Sequence, residues 1–144
     1  ISFYNINKFK IYSFLIVLLI IIVSFIFFTF SNEKKNNLIS EKYVEAGLYL
    51  ASKNMEKSKI LYEEIIFSKN KFYSILALNI ILEKDLVSDK SKIISYFESV
   101  EELKLEQEQK DLVIFKKALY LIKISNTQEG YILLKNLIAL SKSK

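Results

Sequence analysis

Three close pairs of carboxylates are the groups in this chain whose type and spacing suggest chemistry: Glu63–Glu64, Glu101–Glu102 and Glu106–Glu108. Two carboxyl groups can divide general acid and base work when a cleft keeps one protonated and the other ionised. A small helical domain seldom builds such a cleft. The neighbouring residues give these acids plainer work. Glu106 stands four before Lys110, the spacing of a surface pair on a helix, and Glu129 lies near a helix start, where the dipole favours a carboxylate. The chain has no His and no Cys, which removes the imidazole base, the thiolate nucleophile and the usual zinc and haem ligands. Its only glycines are Gly47 and Gly130, too few for a phosphate-cradling loop. Nothing here specifies an enzyme, a cofactor or a metal.

Charge points the same way. Residues 31–144 hold nineteen Lys against sixteen acids, a mild excess spread along the chain. Arg is absent, and with it the usual means of bidentate recognition of phosphate or guanine. The densest basic stretch, Lys53, Lys57 and Lys59, is interrupted by Glu56 and reads as a solvated helix face. Neither a nucleic acid nor a small-molecule substrate is expected. Without Cys no disulfide can form, so cysteine usage is silent on the compartment.

The elements that would position any site begin with residues 11–30, IYSFLIVLLIIIVSFIFFTF, which hold no charge, Pro or Gly. Sixteen of these twenty are Ile, Leu, Val or Phe. At about 1.5 Å per residue the helix is about 30 Å long, the thickness of a bilayer's hydrocarbon core. At roughly −0.3 to −0.6 kcal/mol per apolar residue, insertion is favoured by roughly 5 to 10 kcal/mol. Ser13, Ser24 and Thr29 can return their hydroxyls to the helix's own carbonyls. A soluble core able to wrap a helix apolar on every side needs more chain than remains. A cleaved signal peptide has a shorter apolar stretch and a small-residue cleavage site, whereas this run ends in Phe27, Phe28, Thr29 and Phe30. The sequence therefore predicts a retained single-pass anchor in the lipid bilayer.

Residues 1–10 form a short tail with Lys8 and Lys10. Beyond the span, Lys34, Lys35 and Lys42 are diluted by Glu33, Glu41 and Glu45. The expected topology leaves the tail in the cytoplasm and places residues 31–144 outside it. Residues 31–37, SNEKKNN, read as a polar neck with the composition of a flexible hinge.

From residue 38 to 144 the apolar positions recur at threes and fours, with no Pro and no clean strand alternation. Helices are expected over 38–53, 55–67, 72–84, 89–103 and 106–124, with a sixth capped by Thr127. Ser88 and Asp89 supply an N-cap for the fourth. The inward stripes are Ile60, Leu61, Tyr62 and Ile65; Leu76, Ile80 and Ile81; Ile93, Ile94, Phe97 and Val100; Leu112, Phe115, Leu119 and Ile122; and Leu133, Leu134, Leu137 and Ile138. Short connections make neighbours antiparallel, which gives an all-α domain of three helical hairpins.

The hairpins repeat. Ala46, Tyr49, Leu50, Asn54, Ser58, Tyr62 and Ile65 each have a counterpart 72 residues on: Ala118, Leu121, Ile122, Asn126, Gly130, Leu134 and Leu137. The middle unit fits with Ala77, Ile80, Ile81, Asp85, Phe97 and Val100 if its turn is longer. This pattern resembles a degenerate tetratricopeptide repeat (TPR), an α-solenoid unit, without the familiar Trp and Pro.

The order of parts, an anchor, a polar neck and about three degenerate repeats, resembles the YfgM-type family, the ancillary subunit of the bacterial SecYEG translocon. The resemblance covers the span and residues 38–144. It implies an inner-membrane protein with its repeats in the periplasm, where it binds translocon subunits and periplasmic chaperones and helps hand over emerging polypeptides. Members usually have a longer tail and repeat domain.

Stacked hairpins also imply a function by themselves. The first helices of the units form a concave face suited to extended segments or partner helices. The repeat alignment puts Tyr43, Leu50, Phe115, Ile122 and Lys123 on that face, although Phe115 and Ile122 better suit the closing of the core between hairpins. The alternative role is a structural subunit or assembly factor of a larger membrane complex. The span lacks a small-x-x-x-small motif, so close backbone packing against another span is not encoded.

Overall fold

The computed structural model describes residues 2–141. Residues 1 and 142–144, the ends of the expected tail and helical domain, lie outside the described residues. Among those described there are six α-helices and no strand: α1 (Ser2–Ala51), α2 (Met55–Phe67), α3 (Lys71–Glu83), α4 (Lys90–Glu101), α5 (Gln107–Lys123) and α6 (Thr127–Ser141). They fall into two compact units, Ile1–Leu38 and Ile39–Lys144.

In the first unit α1 carries an 18-residue window of mean hydropathy 3.0, none of it buried. A helix this long and apolar is able to cross a membrane. Thr29 Oγ1 donates to the Phe25 carbonyl at 2.9 Å, so its hydroxyl is satisfied within the helix. Residues 31–37 are helical throughout, contrary to the hinge their polarity suggests. They contain no Gly or Pro, and Glu33, Lys34 and Lys35 are good helix formers. A helix already nucleated on either side passes through such residues at little cost.

The core of the second unit draws on five helices: Ala46 from α1, Tyr62, Ile65 and Ile66 from α2, Ala77, Leu78 and Ile81 from α3, Ile93, Tyr96, Phe97 and Val100 from α4, and Val113 from α5. Burial of each large apolar side chain contributes about 1.5–3 kcal/mol. Two tyrosines keep polar tips in use. Tyr96 donates to Glu63 at 2.5 Å, and Tyr73 donates to Ser40 at 2.8 Å.

Asn54, Asn70 and Asp89 cap the starts of α2, α3 and α4 through their side-chain oxygens. Asn126 precedes α6 as Asn54 precedes α2, which puts the cap one residue before the expected Thr127. At the other ends Lys53, Lys69, Asp85 and Ser125 adopt left-handed φ values of 62°, 61°, 47° and 71°. Three of these ends close with the same long bond. Asn54 N–H reaches Tyr49 O at 2.8 Å, Leu86 N–H reaches Ile81 O at 3.1 Å, and Asn126 N–H reaches Leu121 O at 2.9 Å.

The closures at Asn54 and Asn126 lie 72 residues apart, the spacing of the expected outer units. The first and last units match at 72 residues, with Ala46 and Ala118 fully buried and Ser58 and Gly130 buried opposite them. The middle unit differs by one residue from the expected alignment: Asp85 takes the left-handed place of Lys53 and Ser125, not the place of Asn54. Leu78 and Ile93 then stand where the outer units have small residues. Bulk at the crossing keeps helices apart. Accordingly, α5 with α6 makes a more extensive pairing than α3 with α4.

The inward stripes of α5, α2 and α6 depart from expectation. In α5 the buried residues are Val113, Ala118 and Leu121, while Leu112, Phe115 and Leu119 stay 44–47% exposed. This helix is apolar on more than one face, and the close approach of Gly130 selects the face bearing Ala118. Likewise Ile60 in α2 is exposed and Ile66 is buried, and Ile138 in α6 is exposed.

Candidate functional site: the groove between α3 and α5

The rotation of α5 leaves a concavity in the second unit. With Ala118 and Ile122 turned toward α6, the stripe Lys116, Leu119 and Lys123 faces the C-terminal half of α3. The resulting groove has a volume of about 330 Å³. Its apolar lining comes from Ile81 and Leu82 of α3, Val87 of the following loop, Ile93 of α4 and Leu119 of α5. Its polar lining is Asn79, Glu83, Asp85, Lys116, Tyr120 and Lys123.

The turn after α3 positions the charged rim. Closure by Leu86 N–H forces Asp85 into the left-handed region, where Asp is among the tolerated residues. From there its carboxylate meets Lys123 Nζ at 3.0 Å, tying the turn to the end of α5. Glu83 is hydrogen-bonded to Lys84 at 2.8 Å. That bond holds the Glu83 carboxyl below its ordinary range, with the charges of Lys84 and Lys116 adding to it. Both pairs are largely exposed, where ion pairs contribute little and exchange readily. Burial pushes the Tyr120 phenol above its usual value against the opposing charge of Lys123, so it is a neutral hydrogen-bonding group. Asn79 is half-buried, and its Oδ1 is shielded from solvent without a hydrogen-bond donor.

The groove offers recognition groups: an apolar floor, an amide, a phenol and two ammonium groups. Among the described residues no cluster of three or more His, Cys, Asp or Glu is arranged to hold a metal.

No protein-family model, curated protein or solved structure matches this chain.

Of the five residues expected on a concave face, the groove includes Lys123 alone. Tyr43 is half-buried at the flank of the core, its ring edge-on to Tyr62 at 5.6 Å and tilted against Tyr73 at 5.5 Å. Burial raises the Tyr43 and Tyr62 phenols together. Leu50 packs against the same core. Ile122 abuts Gly130, where a β-carbon would sit 2.6 Å from its Cγ1. Phe115 is 44% exposed and lies outside the groove. Sequence reasoning missed Asn79, Leu82, Lys116, Leu119 and Tyr120 as a set. The available signal was the alternation of Leu112, Lys116, Leu119 and Lys123 at four, three and four, an amphipathic stripe too polar for a core.

Proposed function

We propose that this chain is a membrane-anchored protein–protein interaction module, whose helical hairpins stack as a TPR-like solenoid and whose α3–α5 groove takes polypeptide. The groove itself carries the reading, because a half-apolar, half-polar concavity on stacked helices suits segments of chain. Its scale exceeds a single side chain, and its groups bind without reacting. The 72-residue correspondence of buried small residues and turn closures supports the solenoid. The exposed apolar helix supports a single-pass anchor, and the resemblance to the YfgM-type family supplies the bacterial inner membrane and the periplasmic side.

The resemblance to the YfgM-type family supplies the specific partners: subunits of the protein translocon and periplasmic chaperones, to which emerging polypeptides are passed. Crosslinking in native membranes followed by mass spectrometry tests this. Sub-stoichiometric, detergent-sensitive recovery of translocon subunits and chaperones is the expected result. One constant set of subunits from a large complex would replace it with the second reading, a structural subunit. That reading is favoured by Tyr131 and Ile132, which stand 61% and 52% exposed side by side on α6, as apolar groups that a neighbouring subunit covers.

A further inference from the structure

The groove lining carries two carboxylates, Glu83 and Asp85, and two ammonium groups, Lys116 and Lys123. Asp85 is occupied by Lys123 and Glu83 by Lys84, at 3.0 and 2.8 Å. Lys116 has no ion-pair partner among the described residues, although it lines the same concavity. It is half-buried, and although Glu83 feels its charge, no carboxylate among the described residues comes within ion-pair distance of its ammonium. One turn further along α5, Leu119 is 47% exposed over the floor formed by Ile81 and Leu82. Across the groove the Asn79 amide holds its carbonyl oxygen where no donor reaches it, so turning that amide over breaks no hydrogen bond of the oxygen. The vacancies are thus a carboxylate, an apolar side chain and a main-chain amide, side by side.

We propose that the α3–α5 groove takes an extended peptide segment that sets a carboxylate against Lys116, an apolar side chain against Leu119 and Leu82, and its main chain against the Asn79 amide. The proposal rests on the groove being the working surface, and it names what that surface selects. Charge complementarity chooses the acidic segment over a basic or neutral one. The carboxylate comes from an Asp or Glu side chain or from a chain terminus, two sources with one chemistry. Lys123 and Asp85 act as a brake, because a ligand carboxylate competes with Asp85 for Lys123.

The test is fluorescence anisotropy with the full chain in detergent micelles and three labelled short peptides. One is capped at both ends and contains Leu-Glu-Glu-Leu, the second is the capped Leu-Gln-Gln-Leu counterpart, and the third is that counterpart with a free C-terminal carboxylate. The capped acidic peptide is expected to bind more tightly than its capped neutral counterpart, and less so as salt rises. Lys116→Gln should weaken it about fivefold, the scale of a solvent-accessible ion pair. Asp85→Asn should strengthen it, since Asn suits the left-handed turn and frees Lys123. Lys110→Gln, outside the groove, should change nothing, and unchanged circular dichroism checks that each variant is folded. If the uncapped neutral peptide matches the capped acidic one in its dependence on Lys116, a chain terminus serves as well as an Asp or Glu side chain and the proposal stands. Equal binding of the two capped peptides, or an acidic peptide indifferent to both Lys116→Gln and Asp85→Asn, overturns it. So does the absence of binding by all three. Charge-blind binding that is lost on Leu119→Ser would end the carboxylate preference but leave the groove as the working surface. Binding insensitive to Leu119→Ser as well would remove both.

Discussion

At the scale of single residues, two buried small side chains 72 apart behave oppositely. Glycine in a helix interior costs about 1 kcal/mol against alanine, so Gly→Ala in open space is stabilising. At Gly130 a β-carbon would meet Ile122 Cγ1 at 2.6 Å and the Ala118 carbonyl oxygen at 2.8 Å. The backbone oxygen cannot rotate away, and overpacking of this kind costs about 1–3 kcal/mol. Gly130→Ala should therefore lower stability in urea unfolding followed by circular dichroism; a gain would show that α5 and α6 do not approach so closely. Ser58 is fully buried with its hydroxyl oxygen unpaired. Ser58→Ala removes that unsatisfied group and should leave stability unchanged or slightly raised. A loss above about 1 kcal/mol would mean the hydroxyl has a partner that matters. The sequence made these positions visible through their small size and shared spacing. It left the groove obscure, since Lys116 and Leu119 become neighbours of Asn79 only through the rotation that Gly130 selects.

At the scale of elements, helix ends were easier to read than helix faces. Asn54 and Asp89 announce starts through side chains that satisfy otherwise orphaned amides, whereas the Asn126 side-chain amide donates to Glu129. The stops fall on Lys53, Lys69, Asp85 and Ser125, none of them the glycine that usually marks a left-handed cap. That absence explains the one-residue shift in the middle unit. Faces were ambiguous in α5 and α2 because each is apolar on two sides, and only packing decides between them. Asn70 accepts from both Phe72 and Tyr73 amides, at 3.1 and 3.0 Å, so Asn70→Ala should cost about 1 kcal/mol in the same unfolding measurement. Asp89 adds a pH dependence. Its bonds to the Ser91 hydroxyl and to the Lys92 and Ser91 amides hold its carboxyl below the ordinary range in the folded state. A depressed folded pKa contributes stability above the unfolded value, and that contribution is lost as pH falls through the folded one. The protection of amides at the start of α4, taken against their intrinsic exchange at each pH, should thus fall on acidification through the carboxylate range. Asp89→Asn, which keeps the acceptor and cannot titrate there, should abolish that fall; its persistence would assign the effect to another carboxylate.

At the scale of the whole molecule, composition and hydropathy established most of the architecture. Helical periodicity with no Pro and only two glycines left little room for strands, and an uncharged apolar run near the N-terminus has few uses besides a membrane. What the sequence could not supply is the surface on which a partner rests, because that depends on relative helix rotations that spacing alone leaves degenerate. The central claim is that the α3–α5 groove is that surface. Leu119 within it and Ile60 outside it are exposed to the same degree, 47% and 45%, so they form a matched pair. The most direct measurement is site-specific photocrosslinking in native membranes, with a photoreactive residue placed at Leu119 or at Ile60 of the full chain. Discrete polypeptide adducts from position 119 and background labelling from position 60 are the predicted result. Equal labelling from both positions, or adducts from position 60 alone, would contradict it.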